Sequence, residues 1–201
     1  MQEVEIKFWV EDEAALLDLA EQAGFQQETK PTREQNTLYD TPERVLRQKG
    51  QLVRLRRYGD RTVLTHKSRP DDLLDPGAER HKRRVEHETV VEDPISMDEI
   101  LQALGYLPVF SYEKFRSEWS DGEGQLVVDI TPVGTLAELE GQPDWIDRTA
   151  AKLGVAVSEY LTISYGSLFN EWKQKTGSPA KNMTFAEMHV MVPARFRGNG
   201  S

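Results

Sequence analysis

The sequence predicts an α+β fold dominated by antiparallel strands, on three observations. Apolar and polar residues alternate with period two in about eight segments. Most of these segments are joined by hairpin-type turns, and helical stretches are inserted between them. Antiparallel strands closed into a barrel would have no free edge, so the expected architecture is a closed eight-stranded barrel with helices packed outside.

Each element has its own warrant. Residues 2–10 alternate strictly: Val4, Ile6, Phe8 and Val10 point one way, and Glu3, Glu5, Lys7 and Trp9 the other. Residues 11–23 read as a helix with acids in its first turn and Gly24 behind it. Residues 25–39 read as a long strand interrupted near Pro31, and Asp40-Thr41-Pro42 turns into a short helix at 43–48, ended by Gly50. Strands at 51–58 and 61–68 meet at Gly59-Asp60. Residues 69–79 are loop, and 82–92 alternate again. Residues 96–105 read as a helix capped by Ser96. Strands at 109–119 and 124–131 form a second hairpin, 134–141 is a short strand, and 143–154 and 164–176 are helices.

The chain of 201 residues can bury a sizeable core in one domain, taken as residues 1–176. Residues 177–201, rich in Gly, Pro and Asn, are expected to form a poorly ordered tail. Net charge is −9, which argues against a nucleic-acid binder, because backbone phosphates reward a basic surface. There is no Cys, hence no disulfide and no thiolate metal site. No apolar run reaches the length of a membrane helix and no apolar leader opens the chain, so no membrane partner and a cytoplasmic location are expected. Oligomeric state is not legible.

Which charges share a face is more informative. Glu3, Glu5 and Lys7 lie together; so do Arg54 and Arg56, Thr65 and Lys67, Arg84, Glu86 and Glu88, Lys114 and Arg116, and Glu138 and Glu140, with Asp129 in the adjoining strand. The opposite faces are largely apolar and must pack on the inserted helices. The charged face is therefore solvent or a lumen. Arg presents a planar fork suited to phosphate oxygens. Acids would oppose an anion unless they hold divalent cations, and the pairs Glu3/Glu5 and Glu138/Glu140 could converge on Mg2+ or Mn2+ through hard oxygen ligands. Absence of Cys and only four His argue against zinc.

Read as an ordered set, these residues resemble the CYTH, or triphosphate tunnel, family. The set runs Glu3-Val-Glu5-Ile-Lys7, Leu38-Tyr39-Asp40-Thr41-Pro42, Leu52-Val-Arg54-Leu-Arg56, Leu64-Thr65-His66-Lys67, Arg84-Val-Glu86-His-Glu88, Tyr112-Glu-Lys114-Phe-Arg116, Val128-Asp129, Glu138-Leu-Glu140 and Ser164-Tyr165. The resemblance covers residues 1–175, is nearest to bacterial class IV adenylyl cyclase-like sequences, and implies an eight-stranded tunnel. It implies metal ligation by Glu3, Glu5, Asp129, Glu138 and Glu140. It implies phosphate binding by Lys7, Arg54, Arg56, Lys67, Lys114 and Arg116, and catalytic roles for Lys7, Lys67 and Glu88. The implied ligand is a small molecule bearing a triphosphate: ATP, thiamine triphosphate or tripolyphosphate. Leu38 departs from the Tyr found there in many members, which removes any Tyr-assisted lysine at that point. Cyclisation of ATP, hydrolysis of a triphosphate and non-catalytic polyphosphate binding remain open as functions. The run Lys82-Arg83-Arg84 reads as surface or tunnel mouth, the four His as structural or exposed, Trp9 and Trp119 as packing, and Tyr165 as a candidate on a helix closing the tunnel.

Overall fold

The computed structural model describes residues 2–70 and 80–197, with no side-chain statement for Gln2. The part of the predicted loop at 71–79 and the last residues of the tail, 198–201, lie outside the described residues. In chain order the elements are β1 (Gln2–Trp9), α1 (Glu13–Gln22), β2 (Gln26–Asp40), α2 (Val45–Gln48), β3 (Leu52–Tyr58), β4 (Arg61–Ser68), β5 (Lys82–Val90), α3 (Pro94–Ala103), β6 (Leu107–Ser120), β7 (Gln125–Thr131), β8 (Gly134–Glu140), α4 (Pro143–Lys152) and α5 (Tyr165–Thr176). The eight strands close into one antiparallel barrel in the order β1-β5-β4-β3-β2-β6-β7-β8, with β8 returning to β1. The expected fold class is the observed one.

Period-two alternation sorts the strands' side chains. Ile6 and Phe8 of β1, Leu126 and Val128 of β7, and Ala137 and Leu139 of β8 leave the lumen and are buried under Leu16 and Ala20 of α1 and Trp145, Ile146 and Ala150 of α4. Trp145 is seated so closely that a Cβ at Gly124 or Gly141 would lie 2.6 or 2.7 Å from its ring, and its indole donates to Asp121. Both glycines are needed for that approach. Two of the three register shifts of β2 against β6 fall around Thr29 and Thr32, the stretch that holds Pro31, which cannot donate to the ladder; the third lies between Leu38 and Tyr39.

Two backbone seams are completed from the C-terminal third. β1 pairs with β5 only over Gln2–Glu5; at Lys7 its backbone instead exchanges hydrogen bonds with Leu161, at 2.9 and 2.8 Å. β6 pairs with β7 only over Phe115–Ser120; above that, Met183 donates to Ser111 and accepts from Glu113.

Two expectations need correction. The N-cap of α3 is Asp93, whose carboxylate accepts from the Ile95 and Ser96 amides; Pro94 fits the first turn, where no amide is required, so the helix starts earlier than Ser96. The tail, expected to be poorly ordered from Gly177, packs on the barrel as far as Phe196. Ala180, Met183, Phe185 and Met188 are buried, Phe185 and Phe196 stack on Phe115, and Glu113 accepts from the Phe185 amide. Its scattered apolar residues follow no period, so composition hid the anchors.

Candidate active site

The alternate faces of the strands turn inward and line one cavity of about 640 Å3. Glu3, Glu5, Lys7, Arg54, Arg56, Lys67, Glu88, Lys114, Arg116, Glu138 and Glu140 all reach it. Cross-strand register decides who meets whom. Glu5 lies opposite Lys82 on one side and Glu140 on the other, Lys7 opposite Glu138, Lys67 opposite Glu86, and Arg116 opposite Asp129.

One part of the lumen is a closed network of ion pairs. Glu138 holds Lys7 at 3.0 Å and Arg116 at 2.8 Å, and accepts the Tyr165 hydroxyl at 2.8 Å. Asp129 takes Lys114 at 2.9 Å, both ends of the Arg116 fork at 2.8 and 2.6 Å, and the Tyr165 hydroxyl at 2.5 Å. Glu34, fully buried, lies 3.5 Å from Lys114. Burial would raise the Glu138 carboxyl, but Lys7, Arg116 and Lys114 together hold it well below the usual range. Glu34 is likewise held down at about 2, against burial, by Lys114 and Arg116. Burial and the carboxylates of Asp129 and Glu138 push the Tyr165 phenol well above its ordinary value. Tyr165 opens α5, whose first turn packs into one end of the barrel against Tyr112, ring centroids 5.5 Å apart, while the Lys114 ammonium sits 4.6 Å from the Tyr165 ring centre.

The second part is different. Glu3, Glu5 and Glu140 each bring one carboxylate oxygen within 4.8 Å of the others. Glu5 is paired with Lys7 at 2.6 Å and with Lys82, and Glu3 with Lys67 at 2.8 Å. Among the described residues the Glu140 carboxylate has no hydrogen bond or ion pair. Burial, with Glu138 and Glu5 nearby, pushes it up to about 8. At Glu5 burial acts the same way, but Lys7 and Lys82 prevail and its carboxyl lies below the usual range. Three converging hard oxygens, one of them short of positive charge, suit a divalent cation of the Mg2+ or Mn2+ kind.

The third part is an arc of cations. Lys67 lies 3.2 Å from Glu86; Arg54 and Arg56 lie 3.7 and 3.4 Å from Glu88, which also accepts Thr65 at 2.6 Å. Among the described residues the buried Nε atoms of Arg54 and Arg56 have no partner. These forks retain donor capacity that phosphate oxygens could use. Leu38, Leu52 and Phe110, and the cations Arg44, Arg47 and Lys181, also line the cavity.

Of the residues to which the resemblance gives a metal, phosphate or catalytic role, Asp129 alone does not line the cavity; it is fully buried and paired with Lys114 and Arg116. Glu138 reaches it, but stands outside the group of three converging acids. Residues given no site role by the sequence reading also belong to the lumen: Glu34, and Lys82, which had been read as surface or mouth. Glu34 is on the inward register of β2 with Asn36 and Leu38, a signal obscured by the mixed polarity of that strand. His66 and His87 face each other outside the barrel, rings 6.4 Å apart, and Trp119 is buried in the outer core. Among the described residues no helix is long and apolar enough to cross a membrane.

Comparison with known proteins agrees with this architecture. No curated protein sequence matches. Among solved structures, a candidate adenylate cyclase of Vibrio parahaemolyticus superposes with a TM-score of 0.69 at 23% identity, covering 84% of this chain and 97% of that one. A protein of Pyrococcus horikoshii matches with a TM-score of 0.69 at 19% identity, over 83% and 98% of the two chains. A candidate adenylyl cyclase of Hippeastrum, described as having a dominant triphosphatase activity, matches at 0.59 and 19% identity, over 85% and 96%. At such identities the likeness is one of fold. The CYTH domain family matches residues 1–151, three quarters of the chain and the whole barrel, and the chain belongs to that family.

Proposed function

We propose that the barrel is a divalent-metal-dependent enzyme acting on a small molecule that carries a triphosphate, and that its reaction is class IV adenylyl cyclase-like, converting ATP to cyclic AMP and pyrophosphate. The observation that carries the reading is the convergence of Lys7, Arg54, Arg56, Lys67, Lys114 and Arg116 with Glu3, Glu5 and Glu140 on one cavity. A site for a simple anion has no use for the three acids; a site for a metal-complexed polyphosphate needs them.

The residues divide the work. Arg54, Arg56 and Lys67 grip phosphate oxygens along one wall, and Lys114 and Arg116, fixed by Asp129, face them from β6. Glu3, Glu5 and Glu140 would hold Mg2+ or Mn2+, which when bound draws charge from the phosphate oxygens and orients them. Lys7, whose ammonium is held by Glu5 and Glu138, would donate to the charge that develops on the leaving oxygen. Glu88, held by Thr65 and Arg56, orients the arginine forks. The apolar residues Leu38, Leu52 and Phe110 in the lining suit an organic group, which supports ATP over bare tripolyphosphate. In cyclisation the ribose 3′ oxygen attacks the α-phosphorus, its proton leaves to solvent or a base, and pyrophosphate departs.

Hydrolysis is the second reading. It is favoured by the triphosphatase activity ascribed to the Hippeastrum protein, whose barrel is alike. One assay separates the two. The protein is incubated with ATP, 3′-deoxy-ATP, thiamine triphosphate and tripolyphosphate, each with Mg2+ or Mn2+. Cyclic AMP and pyrophosphate from ATP, with nothing from 3′-deoxy-ATP, is the expected result. Orthophosphate from any substrate without a cyclic product replaces the cyclase by a triphosphatase. Full turnover in excess chelator rejects both.

A further inference from the structure

We propose that Lys82 is the built-in occupant of the divalent-cation position: its ammonium holds Glu5 in the metal-free barrel, is displaced when the ion loads, and then turns to the phosphates. The inference rests on the metal reading above. Lys82 opens β5 directly opposite Glu5, and its Nζ sits on Glu5 Oε1, the same oxygen that Lys7 holds at 2.6 Å. That oxygen therefore already carries two ammonium groups. Lys7 has a second acid, Glu138 at 3.0 Å, and keeps it whatever happens at Glu5. Lys82 makes its ion pair to Glu5 alone among the described residues.

An ion shared by Glu3, Glu5 and Glu140 must use a Glu5 oxygen, and a divalent charge there repels both ammonium groups. Lys82 is the one free to leave. Its backbone cannot retreat. The two residues before it are clamped to Asp147 of α4, Arg80 at 2.5 Å and His81 at 2.9 Å, and the Tyr160 hydroxyl reaches the same carboxylate at 3.3 Å. The change is confined to a four-carbon side chain on a fixed strand, which a lysine can make by rotamer alone. The side chain is only 17% exposed, so a displaced ammonium stays inside the barrel and needs an anion. The phosphates of the incoming ligand supply one. Ion and triphosphate are thus coupled through one side chain: each makes room or reward for the other.

A surface Glu–Lys pair across two strands would be solvated and worth little. This pair is buried in the cavity, beside Glu140, which makes no ion pair among the described residues, and that placement makes it a competitor for the ion.

The test is binding of Mn2+ alone, followed by electron paramagnetic resonance on the full chain, for wild type, Lys82→Met and Lys82→Arg. Removing the ammonium should tighten Mn2+ binding about tenfold or more, because the ion no longer displaces a buried partner. Lys82→Arg keeps the charge and should stay near wild type. Tripolyphosphate should then tighten Mn2+ more in wild type than in Lys82→Met. If Lys82→Met does not fold, Lys82→Gln, which retains a polar head without the charge, is read the same way. Equal or weaker Mn2+ binding in the uncharged variant overturns the role of Lys82 while leaving the metal site standing. No Mn2+ binding in either protein overturns the metal reading and this inference with it.

Discussion

Glu138 and Glu140 stand two residues apart on β8 and point into the same lumen, yet they live in opposite electrostatic worlds. Glu138 faces Lys7 and Arg116 and accepts a phenol; its charge is fully answered. Glu140 faces Glu5 across the strand pair and, among the described residues, makes no ion pair; burial, with Glu138 and Glu5 nearby, pushes its carboxyl up to about 8. The residue type and the face are identical. What differs is the neighbour delivered by register. The first glutamate fixes the cations that would meet a phosphate; the second leaves a vacancy of charge that a metal would fill. A paired and an unpaired carboxylate are thereby placed side by side without any change in sequence chemistry.

The comparison can be broken most forcefully at Glu138. Glu138→Gln strips Lys7 and Arg116 of a buried counter-charge and should cost about 3–5 kcal/mol in urea unfolding. A loss under 1 kcal/mol would mean that the network is not structural. Glu140→Gln should behave in the reverse sense. It relieves repulsion with Glu138 and Glu5, so the metal-free protein should be no less stable, while turnover with Mg2+ or Mn2+ should fall about a hundredfold or more. Retained turnover would remove Glu140 from the metal set. Tyr165→Phe deletes the hydroxyl shared by Asp129 and Glu138 and should cost about 1–2 kcal/mol, read from the midpoint of thermal unfolding. An unchanged midpoint would show that α5 is not anchored there.

The smallest effect is the dependence of stability on pH. Glu140 has a folded value raised to about 8, above the 4.5 of the free side chain, so the native state binds the extra proton between those limits. Its contribution to stability is therefore present at low pH and lost as pH rises toward 8 in the metal-free protein. Glu138, held well below 4.5, contributes in the opposite direction, with stability present above that value and lost only in strong acid. Melting curves of wild type and Glu140→Gln from pH 5 to 8 in chelator should converge at the low end and separate at the high end, the variant being the more stable. Parallel curves would contradict the assignment.

The strands and their inward faces were legible because a period of two needs no knowledge of neighbours. The alternation in Glu3-Val4-Glu5-Ile6-Lys7 states which side chains share a side. It does not state that Glu5 meets Lys82 and Glu140 while Lys7 meets Glu138, because register is a property of two strands and of the turns between them. Register is also what sets Asp129 against Arg116 and Lys82 against Glu5, where the resemblance implied metal ligation for Asp129 and the basic run at Lys82 read as surface or tunnel mouth. Tyr165 was harder still, since it enters the lumen from a helix, where no alternation marks an inward face. The α3 cap was misplaced by three residues because Ser96 and Asp93 are both good capping residues, and only Pro94 between them favours the earlier one.

The seams at Leu161 and Met183 have a consequence for biosynthesis. A ribosome delivers β1 to β8 long before it delivers the two segments that occupy the remaining edges of β1 and β6. Until Leu161 and then Met183 emerge, the amide and carbonyl groups of Lys7 and of Ser111–Glu113 stand bare on half-finished strands, the kind of edge that recruits another chain. A fragment ending at residue 151, where the family match stops, would carry both edges permanently. The last quarter of the chain thus covers two edges of the barrel that precedes it, and expression of the shortened barrel should be limited by precipitation before it is limited by chemistry.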